Sequence, residues 1–504
     1  MTGSRFIQSL IALSTVASTV SSGVTTSFVD QIKREDQEWP RGVSKFVYGP
    51  SWPGFVNKTT RWSTYEAPTF NEVFLPKTAE DVSIGLQYLS SNNITWLAKS
   101  GGHGYSPTLQ VIQNATLINM DNFNYIKINS DKTATVGSGA RFQDVQNALA
   151  AAGREMTVGS CPCVGSTGAM LGGGLGRLQG LHGLTSDSLR KVKMALWNGT
   201  IIEASDDVNQ DLFWGMRGAG QNFGIVIEST YETYEATNGG MHYNADMYFT
   251  KDSVETIVEI TNNLTNPELD SALAIGVVWA FNTTSSEVII VVNLVYAGPL
   301  EEGQKFTKLY SPYSTSLEEQ MVAWQELPAR SVGGFAELAC VTGRRENMYG
   351  LIVRDLDVNS FRELTDAFED LVIANPLANA SSFLVETFPV QGIEALADDY
   401  SAFPHRSTFR NMVEFDMSYY DDSVADVLDN FAREWRDRLS QPEISGYDRL
   451  EVYQNYAHDD EPLSALYGYD EWRHERLTNL KNAYDPYGFF PGYHPIPYTL
   501  EEWS

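Results

Sequence analysis

Apolar residues recur along the chain with two periods, and the switches between them map the elements. Residues 78–81 (TAED) form a capping-box pattern, and Val82, Leu86 and Leu89 follow at i, i+4 and i+7, which predicts a helix with one buried stripe. Residues 94–98 then read as a short strand and residues 99–104 (KSGGHG) as the tight loop leaving it. The pattern repeats: 133–136 is strand-like, Gly137 to Gly139 turns, and Phe142, Val145 and Leu149 mark a helix stopped by Gly153. Strand-like segments 192–197 and 200–203 flank Asn198 and Gly199, a hairpin signal, and residues 211–226 carry a glycine loop into a further strand.

From about Asn238 the glycine loops thin out. Segments 273–280 and 287–296 alternate apolar and polar residues, as in an antiparallel sheet, while 256–263, 360–374 and 425–438 carry helix-spaced apolar residues. This mixture predicts an α+β fold. The tail from Tyr453 is rich in Tyr, Asn and Asp and ends in prolines, and no fixed-period repeat or low-complexity tract interrupts the chain.

With 504 residues, 42% hydrophobic and 20% charged, the chain has globular composition and length for about three domains of ~150 residues, or two large ones. A net charge of −29 repels phosphate backbones and anionic lipid, which argues against nucleic-acid binding and electrostatic membrane docking. Residues 1–22 read as a signal peptide: the apolar stretch is broken by Gln8, Ser9 and Ser14, too short and polar to span a bilayer. Asn-x-Ser/Thr sequons at Asn57, Asn93, Asn114, Asn198, Asn263, Asn282 and Asn379 fit glycosylation on a secretory route, although Asn198 serves equally as a turn residue. The cysteines, Cys161, Cys163 and Cys340, are odd in number and lack a disulfide framework, so stability is expected from packing. Cys161 and Cys163 lie two apart, where a mutual disulfide would be strained, and no zinc-ligand spacing or other metal motif is present.

Glycines cluster four times between residues 101 and 224, and backbone N–H groups converge readily on an anion where no Cβ intervenes. No P-loop motif exists, and residues 218–224 (GAGQNFG) have one residue too many for Gly-x-Gly-x-x-Gly. A long, phosphate-bearing cofactor lying across several loops fits better. His103 and Cys161 stand at the tips of two such loops; each alone would read as structural, but imidazole attacks the 8α-methyl of a flavin and thiolate attacks its C6.

These residues bring out a resemblance. The chain resembles the berberine-bridge-enzyme-like FAD-linked oxidoreductases of the vanillyl-alcohol-oxidase (PCMH-type) superfamily. Residues 99–103 (KSGGH) are similar to the family's basic-x-Gly-Gly-His motif, with Lys99 in place of the commoner Arg, and residues 161–165 (CPCVG) to its Cys-Pro-x-Val-Gly element. The resemblance implies FAD attached through His103 and Cys161, with Cys163 as the alternative thiol. It extends the cofactor wall to Lys99, Ser100, Gly101, Gly102, Gly104, Gly139, Gly165, Ser166, Gly168, Gly173, Gly174, Ile225 and Asn455. Further matches are 211–217 (DLFWGMR), 223–226 (FGIV), 404–406 (PHR) and the tail from 453–456 (YQNY) to Phe489.

In the family's tail pattern the second Tyr of Tyr-x-Asn-Tyr faces the flavin as a base, which implies Tyr456, provided neighbours lower its pKa from about 10. The alternative is an edge-strand tyrosine. On the strand 409–417 Arg410, Met412 and Glu414 share one face; Glu414 reads as the only carboxylate there and a second acid or base, unless that face meets solvent. His182 either lines the pocket or is a structural loop residue.

The implied organisation is a signal peptide (1–22), an N-terminal segment (23–65), a PCMH-type FAD-binding domain of two α/β subdomains (66–236), a substrate domain of antiparallel sheet covered by helices (237–445), and a segment returning to the FAD domain (446–504). The implied activity is a secreted, monomeric oxidase of secondary metabolism. Hydride passes from an alcohol, phenol or natural-product intermediate to FAD, and O2 is reduced to H2O2. Alternatives are a carbohydrate oxidase, a flavoprotein catalysing oxidative or non-redox cyclisation, and a secreted binding glycoprotein without flavin.

Overall fold

The computed structural model describes residues 38–503. The expected signal peptide and the start of the N-terminal segment lie outside the described residues. Three large sheets organise the rest, beside a two-stranded ribbon that pairs residues 154–155 with 234–235. The first contains β1 (Val47–Tyr48), β2 (Phe70–Phe74), β3 (Trp96–Lys99) and β4 (Ala115–Asn119) in the order β1-β2-β4-β3, with β2 and β3 both parallel to β4. The crossover between β2 and β3 is α1 (Ala79–Ser91), which opens on the expected capping box: Thr78 Oγ1 accepts from Asp81 N, and Asp81 Oδ2 from Thr78 N. Its stripe of Val82, Leu86 and Leu89 is fully buried against Phe74, Ile118 and Ile225.

The second sheet is antiparallel, β5 (Ile126–Ile128), β6 (Ala134–Gly137), β7 (Leu189–Ala195), β8 (Ile201–Ser205) and β9 (Ile225–Tyr231), in the order β5-β6-β9-β7-β8. Between β6 and β7 lies α2 (Phe142–Ala151), as the apolar spacing predicts. The β7–β8 pair is the expected hairpin, and Asn198 Oδ1 accepts from Thr200 N inside its turn.

The third sheet is a seven-stranded antiparallel wall: β10 (Met241–Thr250), β11 (Leu273–Asn282), β12 (Glu287–Tyr296), β13 (Ser316–Ala323), β14 (Arg345–Val353), β15 (Ser382–Thr387) and β16 (Asn411–Tyr419), in the order β13-β10-β12-β11-β15-β16-β14. Helices α3 (Val254–Thr265), α4 (Val358–Ala374) and α5 (Ala425–Leu439) cover one face. Ile275, Val277 and Trp279 of β11, Phe383 and Val385 of β15, and Val413 and Phe415 of β16 all point into that helix layer. Alternation then sends Gly276, Glu386 and Glu414 to the opposite face. A slip of one residue would exchange Glu386 or Glu414 for a buried Val or Phe, each worth about 1.5–3 kcal/mol of burial, so the hydrophobic core fixes which face carries the carboxyls. Residues beyond Leu450 return to the second sheet, where Ala457, Leu466, Leu477 and Ile496 join the core of Val136 and Met194.

Two expectations change. β16 begins two residues later than the alternation suggested, and Asp416 shares the face of Glu414, so Glu414 is not the only carboxylate there. The cysteines do form a disulfide: Cys163 joins Cys340 across 177 residues and leaves Cys161 free. Local spacing carried no sign of it, because Cys340 sits on a strap, residues 331–343, that crosses from the third sheet to the glycine loops. Asp246 holds the strap through Val332 N (2.9 Å) and Gly333 N (3.1 Å).

Candidate functional site

Two glycine loops meet backbone to backbone. A Cβ on Gly101 would stand 2.4 Å from Gly165 N, and one on Gly165 would stand 2.3 Å from Gly101 N, so neither position tolerates a side chain. That contact brings the loop tips together, with Cys161 Sγ 3.9 Å from His103 Nε2. The His103 ring stacks on Trp62, centroids 4.1 Å apart, and Trp62 Nε1 donates to Ala339 O of the strap at 2.6 Å. Lys99 acts as a strut: its Nζ donates to the carbonyls of Lys58 (3.0 Å) and Thr60 (2.9 Å), and burial lowers its pKa to about 8. Arg61 Nη2 donates to Gly104 O at 2.8 Å. Burial, with Arg61 nearby, pushes His103 down to about 3, so its imidazole is neutral, and burial pushes the Cys161 thiol up to about 11.

The loops border a cavity of ≈ 440 Å³. The hydroxyls of Ser100, Ser138, Ser160 and Thr167 are buried without a hydrogen-bond partner, and all four residues line this cavity. Buried orphan hydroxyls are costly unless something satisfies them. A ligand with a polyhydroxyl chain and a diphosphate supplies the acceptors, so this donor set fits FAD. Ser100, Gly101, Gly102, Gly104, Gly165, Gly168, Gly174, Ile225 and Asn455 line the same space. Gly139, Ser166 and Gly173 stand behind it, contrary to expectation. Gly139 is bare because a Cβ would lie 2.2 Å from Met120 O, Ser166 Oγ donates to Ala140 O at 3.0 Å, and Gly173 (φ 124°) packs on Phe403. Asn455 ties the tail to this wall, its Nδ2 donating to Ala169 O at 2.8 Å.

The opposite wall is the polar face of the seven-stranded sheet. Tyr456 OH donates to Glu386 Oε2 at 3.2 Å, and Tyr105 OH to Glu414 Oε1 at 3.4 Å. Asp416 and Arg177 complete the polar set, amid Val278, Leu384 and Met348. Burial raises the carboxyls of Glu386 and Glu414, the latter well above the usual range with Glu386 and Asp416 adding to it. Tyr456 is not the lowered phenol that a resting phenolate requires: burial, then Glu386 and Glu414, raise it well above 10. It lies in a single 3-10 turn, Gln454–Tyr456, and not on an edge strand. Glu414 is 5% exposed and faces the cavity, not solvent.

His182 is outside the cavity, with Nε2 2.8 Å from Glu155 and its ring stacked on Tyr234. Cys163 is committed to Cys340 and drops out as the alternative attachment thiol. Among the sequons, Asn57, Asn93, Asn114, Asn198, Asn263 and Asn379 are exposed. Asn282 is 7% exposed, its Oδ1 accepting from Thr284 N, so this side chain is buried where the other six sequon residues are exposed. Sequence reasoning missed Trp62, Tyr105, Arg177, Glu386 and Asp416. Tyr105 was findable two residues beyond His103, and Glu386 as the acidic member of the alternating segment 382–387; Trp62 and Arg177 lie in no motif.

Comparison with known proteins agrees with this geometry. The family described as an FAD binding domain matches residues 71–205. The FAD-linked oxidoreductase OXR1 of Pyricularia oryzae is 35% identical over 489 residues, covering 95% of this chain and 94% of that protein. Among solved structures, BBE-like 1 of Physcomitrella patens superposes with a TM-score of 0.76 at 20% identity, covering 90% of this chain and 97% of the other. A chitooligosaccharide oxidase superposes at 0.71 and 20% identity, covering 89% and 96%. The chain resembles BBE-like 1 in fold, and it belongs to the FAD-linked oxidoreductases.

Proposed function

We propose that this protein is an exported, glycosylated, monomeric oxidase of secondary metabolism, which takes hydride from an alcohol, phenol or related natural-product intermediate and uses O2 as acceptor. The observation that carries this reading is one cavity with a nucleophile pair on one wall, His103 and Cys161, and two tyrosine–carboxyl pairs on the other. When bound, FAD supplies a ring that accepts hydride, passes the electron pair to O2 as H2O2, and takes nucleophiles at its 8α and C6 positions.

His103 and Cys161 would hold that ring covalently. The buried, neutral imidazole keeps a lone pair free for bond formation, whereas Cys161 must first lose its proton, so the histidine bond forms more readily. Glu414 and Tyr456 with Glu386 take the proton that leaves the substrate hydroxyl as hydride departs from carbon. Burial raises both carboxyls, so each holds its proton to higher pH than a free side chain and serves as a base only after that proton has moved on. Val278, Leu384, Met348 and Trp62 make much of the remaining wall apolar, which favours a hydrophobic substrate over a sugar.

Acid precipitation tests the cofactor part: yellow colour is expected to stay with the pellet in the wild type and in His103→Ala and Cys161→Ala singly, and to leave when both are changed. An oxygen electrode tests the acceptor, with stoichiometric O2 loss and H2O2 gain expected on a phenolic benzylic alcohol. A colourless secreted protein would return the reading to a binding glycoprotein.

A further inference from the structure

The seven-stranded sheet buries more acid than proton abstraction needs. Along the cavity face of β16, Glu414, Asp416 and Ser418 follow at every second position, and Glu346 of β14 lies opposite Ser418 in the antiparallel register. Ser418 Oγ stands 2.9 Å from Asp416 Oδ1 and is also hydrogen-bonded to Glu346 Oε2. A hydroxyl has one proton to give, so a serine bonded to two carboxyls requires one of them to be protonated and to donate back. At the outer end Arg344 Nε is 2.8 Å from Glu346 Oε1, at ion-pair distance though not aligned as a hydrogen bond, and 18% of the Arg344 side chain reaches solvent. Glu414 and Asp416 line the cavity, whereas Glu346 and Ser418 are 0% exposed.

We propose that Glu414, Asp416, Ser418 and Glu346 form a proton-exit path leading from the substrate wall to the Arg344 edge of the sheet. It rests on the hydride-transfer reading above. The substrate O–H bond breaks and its proton bonds to Glu414, while the electron pair of the adjacent C–H leaves as hydride to FAD. The proton that Glu414 held beforehand passes to Asp416, Ser418 hands one on to Glu346, and one proton reaches water beside Arg344. The later reduction of O2 to H2O2 takes that proton up again, so the full cycle balances. Burial pushes Glu346 up to about 8 and raises Asp416 as well, which keeps the pair able to hold protons at neutral pH. The other titratable groups facing the row are Tyr105 and Cys161 of the glycine loops, Tyr456 of the tail, Glu386 of β15, and Arg177 beside Glu386.

The test is infrared spectroscopy of the resting holoenzyme, which needs no substrate and reads carboxyls whether or not flavin is bound. The protonated-carboxyl band is expected to persist through neutral pH, to titrate near the value of Glu346, and to lose separate components in Asp416→Asn and Glu346→Gln. After transfer to D2O, the component lost in Glu414→Gln is expected to exchange about tenfold or more slowly in Ser418→Ala than in the wild type, with recovery in Ser418→Thr. Melting curves of the serine variants separate a blocked path from an unfolded sheet, and the threonine variant keeps the test valid if the alanine variant fails to fold. A band unchanged in Asp416→Asn and Glu346→Gln, or wild-type exchange in Ser418→Ala, would overturn the path. The visible spectrum of the same sample reports separately on the flavin reading.

Discussion

The two walls of the cavity are built from opposite materials. The glycine-loop wall is made of backbone pressed on backbone, with neutral hydroxyls left over for a ligand. The sheet wall is made of side chains, with carboxyls whose placement depends on strand alternation and on a core packed behind them. A wall of the first kind admits no side-chain change without moving main chain, while a wall of the second kind accepts isosteric exchanges that alter chemistry and leave the fold in place.

Substitution separates the two walls most sharply. Gly101→Val or Gly165→Val forces a Cβ to within 2.4 Å of facing backbone, and overpacking of that kind costs about 3 kcal/mol or more. Loss of bound flavin together with a lowered melting temperature is the expected result; retained flavin would show that the walls do not differ in this way. On the sheet wall, Glu414→Gln and Tyr456→Phe should keep the flavin spectrum and melting temperature while lowering the rate of flavin reduction by about 10²–10⁴. If they lose flavin instead, the sheet wall is structural too.

Smaller effects sharpen the picture. Cys340→Ser releases the strap between the walls and should reduce stability by about 2–4 kcal/mol, read by denaturant unfolding, with one additional free thiol, Cys163, appearing on alkylation. The smallest effect is on pH dependence. Glu346 titrates near 8 in the fold against 4.5 for a free side chain, so between those values the folded state binds a proton that the unfolded chain has released. Stability due to this group is therefore complete below pH 4.5 and declines as pH rises to 8. Glu346→Gln should flatten that decline in melting temperature, whereas Lys77→Gln at the exposed end of the first sheet should leave it unchanged.

The same contrast governs what could be read from sequence. The glycine loops, the capping box before α1, and His103 with Cys161 were legible because tight turns and backbone contacts impose residue types at fixed local spacing. The helices packed on the third sheet were legible from their apolar period, and their bounds moved by only a residue or two. The tyrosine–carboxyl pairs were not, because Tyr456 meets Glu386 across 70 residues and Tyr105 meets Glu414 across 309. Asp416 was overlooked although it shares the parity of Glu414, and the Cys163–Cys340 bond was illegible because the strap that delivers Cys340 bears no local signature.

The cavity is sealed from a distant part of the chain. Phe489 stacks on Trp96 at 4.6 Å, and Phe490, Gly492 and Tyr493 line the same space as the first glycine loop. During synthesis the glycine loops therefore emerge long before the segment that closes over them, and the pocket stays incomplete until residues 489–493 have left the ribosome. A nascent chain stalled before residue 489 would hold both nucleophiles in an unfinished vessel.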